Sequence, residues 1–260
     1  MRLNVKLTRR RLIAGFTASA ALGIAGCDRL SQSRSSLSIL DSAEDLTRSI
    51  QRAILGARDT LAPEYAEADI TKIFKPNGST EADDPDYVAA RQENFANWKL
   101  VVDGLVDKPL QLSLAELRQL PSRTQITRHD CVEGWSCIGK WTGVPLKEVL
   151  DRAGLKADAR YIVFHCADTL EQTLDGTGQY YESIDLVDAR HPQTILAYDM
   201  NGAPVPVEHG APLRLRVERQ LGYKMAKYVM RIEARDEFAS LGRGRGGFWE
   251  DRGYEWYAGI

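Results

Sequence analysis

Three kinds of apolar spacing divide the chain: an unbroken run at the N-terminus, helical spacing up to about residue 95, and strand-like runs beyond it. The first run covers residues 12–25, behind a basic stretch that contains Arg2, Lys6, Arg9, Arg10 and Arg11. It is too short to span a bilayer as a stable helix and reads as an export signal over residues 1–26. Polar, serine-rich residues suit a tether over 27–40. Residues 41–56 set Leu46, Ile50 and Ile54 four apart, with Ser42 as N-cap and Gly56 as a stop, which predicts an amphipathic helix. Pro63 opens a second predicted helix that runs through Ile73. Residues 76–86 read as a loop and residues 86–95 as a third helix.

From Trp98 onward the pattern favours short strands. Residues 99–102 and 124–127 are strand-like, with short helices predicted over 114–119 and over 145–153, the latter closed by Gly154. Residues 160–166 are apolar at both parities, as in a strand buried on both faces. Further strands are predicted over 194–199, 212–217 and 228–234, with Asn201-Gly202 as a tight turn. Strands and helices mix without regular βαβ alternation, so the fold class is α+β, with mixed β-sheets and short helices in one domain over 41–260.

Composition alters this picture little: 43% hydrophobic and 27% charged residues are ordinary for a globular chain of 260 residues. Charge is more informative. The formal net charge is −2, and the five basic residues before position 26 face no acid there, so the rest carries −7. An acidic body excludes a nucleic-acid partner, which calls for a basic face. Thr8-Arg9-Arg10-Arg11-Leu12-Ile13 resembles a twin-arginine signal and Ile24-Ala25-Gly26-Cys27 a lipobox. Together they imply a periplasmic protein held at a membrane surface by lipid on Cys27. Three cysteines then remain, Cys131, Cys137 and Cys166, an odd number for disulfides.

The densest chemistry lies in Arg128-His129-Asp130-Cys131-Val132-Glu133-Gly134-Trp135. In an extended chain Cys131 and Glu133 project to one side, setting a soft thiolate for a soft metal beside a proton-carrying carboxylate. Residue types alone leave three alternatives open: a Cys131–Cys137 disulfide, a buried thiol, or zinc on His129, Cys131, Cys137 and Cys166. The spacings of that last set fit no paired Cys-x-x-Cys pattern. The basic loop from Gly242 to Gly247 reads either as solvated or as a docking surface. The aromatic C-terminus (Phe248, Trp249, Tyr254, Trp256, Tyr257) either packs on the core or lines a substrate funnel.

Cys131-Val132-Glu133-Gly134-Trp135-Ser136, followed by Trp141-Thr142-Gly143-Val144-Pro145-Leu146, resembles the molybdenum-binding segment of the sulfite oxidase superfamily. Within it the pattern is most similar to the periplasmic protein-methionine-sulfoxide reductase catalytic subunits. Val102-Asp103-Gly104-Leu105-Val106, His191-Pro192-Gln193, His209-Gly210-Ala211-Pro212-Leu213-Arg214 and Gly222-Tyr223-Lys224-Met225-Ala226-Lys227 extend the resemblance, in one order, over residues 74–260.

It implies a molybdopterin-binding domain in which Cys131 ligates molybdenum and Glu133 relays protons. Asn77 and Cys166 would contact the pterin. His209, Arg214, Met225, Ala226 and Lys227 would grip its phosphate. The chain departs from the reductase pattern at His209, where relatives have asparagine, and at Cys166, where they have a hydroxyl residue. It also lacks the arginine-rich stretch that sulfite-oxidising relatives carry after the ligand cysteine. The implied activity is therefore two-electron oxygen-atom transfer that reduces a sulfoxide- or N-oxide-like substrate. A sulfite-type dehydrogenase is the alternative, and a non-catalytic cofactor carrier a further one. No Cys-x-x-Cys-His is present, so a separate electron partner, a membrane haem protein or a cytochrome, is implied, with a monomer as the expected state.

Overall fold

A computed structural model describes residues 60–260, together with Leu46, Thr47, Ser49 and Ile50. The chain divides into two units, residues 1–54 and 55–260. The four described residues of the first unit are helical, inside the helix predicted over 41–56, and Leu46 and Ile50 lie exposed there. The export signal, the tether and Cys27 fall outside the described residues. Among the described residues no helix is long and apolar enough to cross a membrane.

The second unit is built on two sheets. The first joins β1 (Lys99–Gly104), β2 (Leu110–Ser113), β5 (Tyr161–Thr169), β6 (Gln179–Asp185) and β10 (Val229–Arg235) in the order β2-β1-β10-β5-β6. All its pairs are antiparallel except β1 with β10. The second runs β3 (Arg123–Cys131), β4 (Trp135–Pro145), β7 (Ile195–Met200) and β8 (Ala203–Pro204), with β9 (Arg214–Arg216) also paired to β7. Val102, Phe164 and Ile232 of the first sheet and Val144, Leu196 and Leu215 from the second share one core, all fully buried. This agrees with the α+β class read from the strand pattern.

Among the described residues of this unit four α-helices trim the sheets, and their ends follow local chemistry. The Asp84 carboxylate caps α1 (Pro85–Gln92) by accepting from the N–H groups of Asp86 and Tyr87. Ser113 and Glu116 form a capping box on α2 (Leu114–Gln119). α3 (Leu146–Ala153) buries Leu146, Val149, Leu150 and Ala153, the i, i+3, i+4, i+7 stripe, and Gly154 ends it at φ 71°. α4 (Leu186–Ala189) is a single turn capped by Asp185.

The helix predicted over 63–73 does not form. Only a 3-10 turn, Glu67–Asp69, is present, because the flanking backbone bonds outward, Tyr65 N–H to Ile126 O and Thr71 N–H to Ile138 O. The side chain of Gln193 also clamps both the N–H and the carbonyl of Ala62. β4 and β6 carry no clear alternation of apolar residues and were not anticipated, whereas the Asn201-Gly202 turn between β7 and β8 is as predicted, with both residues at positive φ.

Candidate active site

Cys131 ends β3 at the hairpin that leads into β4 and faces Trp135 across it. The loop holds three residues: the Gly134 N–H bonds the Cys131 carbonyl at 3.0 Å, and Gly134 takes φ 83°, a conformation that favours glycine. The extended chain assumed for the pairing of Cys131 with Glu133 is thus replaced by a turn. The turn still brings Glu133 to the same cleft as the thiol. There the Glu133 carboxylate accepts from Lys75 Nζ at 3.2 Å and from Trp135 Nε1 at 2.9 Å, and these bonds hold it below the usual carboxylate range. Burial pushes the Cys131 thiol up, opposed by the backbone N–H groups of Glu133 and Val132.

Cys131, Cys137 and Cys166 are all free thiols, so the Cys131–Cys137 disulfide is not formed. Among the described residues no three or more His, Cys, Asp or Glu side chains are placed to hold a metal ion, which removes the zinc alternative.

The inner wall of the cleft comes from the turn after β9. Gly222 lies so close to β3 that a Cβ there would stand 2.3 Å from His129 Nε2, and this approach lets residues 222–227 run beside the Cys131 strand. Met225 and Lys227 line the cleft, and Met225 Sδ lies 3.3 Å from His129 Nδ1. Lys227 donates to the carbonyls of Ser79 and, at 3.0 Å, Glu208. Burial, followed by the charge of Arg214, pushes its ammonium down to about 7.

Arg214 and Arg216 are neighbours on β9 with opposite circumstances. Both are fully buried. Arg216 forks onto the Glu218 carboxylate at 2.9 and 2.7 Å. Arg214 has no carboxylate: it donates to the carbonyls of His209 (3.0 Å) and Met225 (3.5 Å), stands 4.9 Å over the Trp141 ring, and leaves Nε without a partner. Burial pushes Arg214 down to about 9. Beside it, burial and the charges of Arg214 and Lys227 depress His209 to about 4, and its Nδ1 is also unpartnered. Asn77, in the cleft, has a buried Oδ1 without a partner. Buried polar atoms are nearly always satisfied, so Arg214 Nε and His209 Nδ1, on a guanidinium bonded to no carboxylate among the described residues and its neighbour, describe a place suited to an anion, while Asn77 Oδ1 calls for a donor.

Five of the sequence-predicted residues, Asn77, Cys131, Glu133, Met225 and Lys227, therefore line one cleft, and His209 and Arg214 adjoin its cationic end. Two do not line it. Cys166 is buried with its Sγ 3.9 Å from the Phe164 carbonyl, and Ala226 is buried with its carbonyl bound to Leu215 N–H.

The sequence reading missed Asp168, which lies on the cleft two residues beyond Cys166 on β5. Strand periodicity from Cys166 was the signal available. Asp168 is buried, accepts from Ser79 Oγ at 2.5 Å, and keeps Oδ1 without a partner. Burial raises its carboxyl to about 6. A folded-state value above the unfolded one means that folding favours the protonated form, with stability lost as pH rises from about 4 through about 6. Asp168→Asn is expected to stabilise the cofactor-free protein at pH 8 by about 2 kcal/mol, and to leave it unchanged at pH 4. Urea denaturation at the two pH values measures the difference, and an equal effect at both refutes it.

The C-terminal aromatics serve both purposes weighed for them. Phe248 is buried in the core, whereas Trp249 and Tyr254 form the cleft's outer wall with Tyr180 and Tyr223. The basic loop is tied down by Asp251, whose carboxylate accepts from the N–H groups of Arg243 and Arg245.

Residues 87–240 match the family described as oxidoreductase molybdopterin binding domain. A putative protein-methionine-sulfoxide reductase subunit YedZ1 from Azospira oryzae is 41% identical over 199 residues, 76% of this chain and 68% of that protein. The protein-methionine-sulfoxide reductase catalytic subunit MsrP of Xanthomonas axonopodis pv. citri is 35% identical over 88% of this chain and 70% of its own length. That of Xanthomonas campestris pv. campestris is 34% identical, over 86% and 69%.

Proposed function

The chain belongs to the oxidoreductase molybdopterin binding domain family, and on that footing we propose that it is an exported reductase of sulfoxides that carries its molybdenum cofactor over Cys131. Arg214 supports this most directly. A fully buried guanidinium without a carboxylate is costly unless a ligand brings the negative charge, and the phosphate of molybdopterin is such a ligand. Lys227, His209 and the backbone amide of Ala226 would complete the grip on it, with Met225 beside them, its own N–H taken by the Gly222 carbonyl at 3.1 Å. Asn77 Oδ1 and Asp168 Oδ1, both buried and unpartnered, suit the N–H groups of a pterin. Cys166 lies behind that wall on β5. Cys131 supplies a soft thiolate, the donor type that soft metals favour.

When bound, the cofactor supplies two-electron oxygen-atom transfer. The chain's own residues set access and charge around it. Trp249, Tyr254 and Tyr223 exclude water from the cleft over the thiol. Reduction of a sulfoxide to a thioether and water consumes two protons and two electrons. Glu133, the acid at the cleft mouth, passes protons in from solvent, and a separate carrier, a membrane haem protein or a cytochrome, delivers the electrons singly. The residues before position 41 direct export to the periplasm and, through lipid on Cys27, hold residues 41–260 as one catalytic domain at a membrane surface.

Metal analysis of the protein exported from a molybdenum-replete host tests the central claim. One molybdenum per chain is expected, together with turnover of a dialkyl sulfoxide by a reduced dye. Stoichiometric zinc, or molybdenum without sulfoxide turnover, overturns it.

A further inference from the structure

Lys75 and Glu133, the carboxylate that lines the cleft beside Cys131, are spent on each other. Lys75 Nζ lies 3.2 Å from Glu133 Oε2, the oxygen that also accepts from Trp135 Nε1 at 2.9 Å. The ammonium stands 5.0 Å from the centre of the Trp135 ring, so the indole braces both partners. Each side chain is more than half exposed, at 57% and 59%, yet each springs from a fixed base. Phe74, before Lys75, is buried against the rings of Trp141, His129 and His209. Glu133 sits in the three-residue hairpin loop. Glu133 lines the cleft together with Cys131, so the pair stands where substrate must approach.

No arginine lines this cleft, and its one lining cation, Lys227, is buried and bonded to two carbonyls. Lys75 is thus an exposed cation beside the cleft that can meet an incoming anion, and Glu133 already covers it. We propose that the Lys75–Glu133 pair is a charge filter: by cancelling Lys75, Glu133 keeps the cleft selective for neutral sulfoxides over anionic ones. This rests on the reductase reading above and adds the residue that sets its specificity. A neutral sulfoxide enters without disturbing the pair. An anion meets the Glu133 carboxylate, and can use Lys75 only by displacing it. Because the pair is solvated, the filter is modest and weakens as salt screens it.

The experiment compares a dialkyl sulfoxide that carries a carboxamide with the same molecule carrying a carboxylate, on the holoenzyme at low ionic strength. Glu133→Gln is expected to raise the carboxylate-to-carboxamide ratio of kcat/KM about tenfold, and to about twofold near 0.5 M salt. Lys75→Gln is expected to lower the ratio, and the double variant to return it to within about twofold of the wild type, as a coupled pair requires. A loss shared by both substrates reports proton delivery and cancels in the ratio. An unchanged ratio in Glu133→Gln, or a shift insensitive to salt, overturns the filter. Calorimetric binding of the two molecules to oxidised enzyme, without turnover, applies the same test. If the wild type turns over neither sulfoxide, the reductase reading fails while the binding ratio still decides the filter.

Discussion

Cys131→Ser is expected to abolish sulfoxide turnover, lowering kcat/KM by at least about a thousandfold, roughly 4 kcal/mol of transition-state stabilisation, while the fold and the bound pterin persist. Serine is nearly the same size, and the hairpin around residue 131 is held by backbone bonds that the change does not touch. A hydroxyl is a poor donor to a soft metal, so the loss falls on the chemistry. The change leaves Arg214 and Lys227, the phosphate grip proposed above, untouched, so pterin released on denaturation should remain near one per chain. Arg214→Met should behave in the opposite sense, with pterin lost and the Cys131 thiol intact. Full activity in Cys131→Ser, or equal pterin loss in both variants, refutes this division of labour.

Lys224→Met is expected to cost about 3–5 kcal/mol of folding stability. Lys224 is fully buried and donates to two carboxylates, Glu182 and Glu250, which are also buried. Burial and the charge of Glu250 push the Glu182 carboxyl well above its ordinary value, while Lys224 opposes the shift. Without the ammonium the two carboxyls remain as an acid pair that resists ionisation. The penalty should therefore grow as pH rises and shrink in acid, where both are protonated. Denaturant midpoints at pH 5 and pH 8 measure it, and adding Glu182→Gln and Glu250→Gln should recover much of the loss. Lys147→Met, which breaks the solvated pair with Asp151, serves as the control and should shift the midpoint little. The triad also matters to the site. Glu250 adjoins Trp249, and Gly247 pairs with Glu182, so the triad holds the aromatic wall of the cleft in place.

β5 was legible because its inward positions are apolar, with Ile162, Val163 and Phe164 fully buried, whereas β3 was legible from its β-prone residue types although its buried positions are Gln125, Thr127 and His129. β4 hid its period because glycines hold part of its inward face. A Cβ on Gly139 would press on Phe74 at 3.0 Å, and one on Gly143 would strike the Leu196 carbonyl at 2.1 Å. β6 hid its own because its buried residues include Glu182 and Ser183, whose partners come from far along the chain, Lys224 for Glu182, and the Gly246 carbonyl and Trp256 Nε1 for Ser183. The false helix over 63–73 has a related cause: its proline and spacing are local, whereas the bonds to Ile126 and Ile138 that hold it extended are not. Among site residues, the thiol and the cationic end were legible as motifs. Asp168 was not, since nothing local tells a buried aspartate from a solvated one. Nor was the pairing of Glu133 with Lys75, which joins residues fifty-eight positions apart.

The parallel pairing of β1 with β10 sets the order in which this protein can be made. Val101 partners Arg231 and Gly104 partners Ala234, so the middle of the first sheet joins segments about 130 residues apart. During synthesis β1 and β2 emerge about 130 residues ahead of the neighbour of β1. Until then one side of β1 presents unpaired backbone groups, an invitation to mispairing. Such distant contacts also slow the search for the native state. On the reading proposed above, Met225, Ala226 and Lys227 would meet the cofactor phosphate, and they lie just before β10, so they take their place beside the Cys131 strand only once this late partner of β1 has been made.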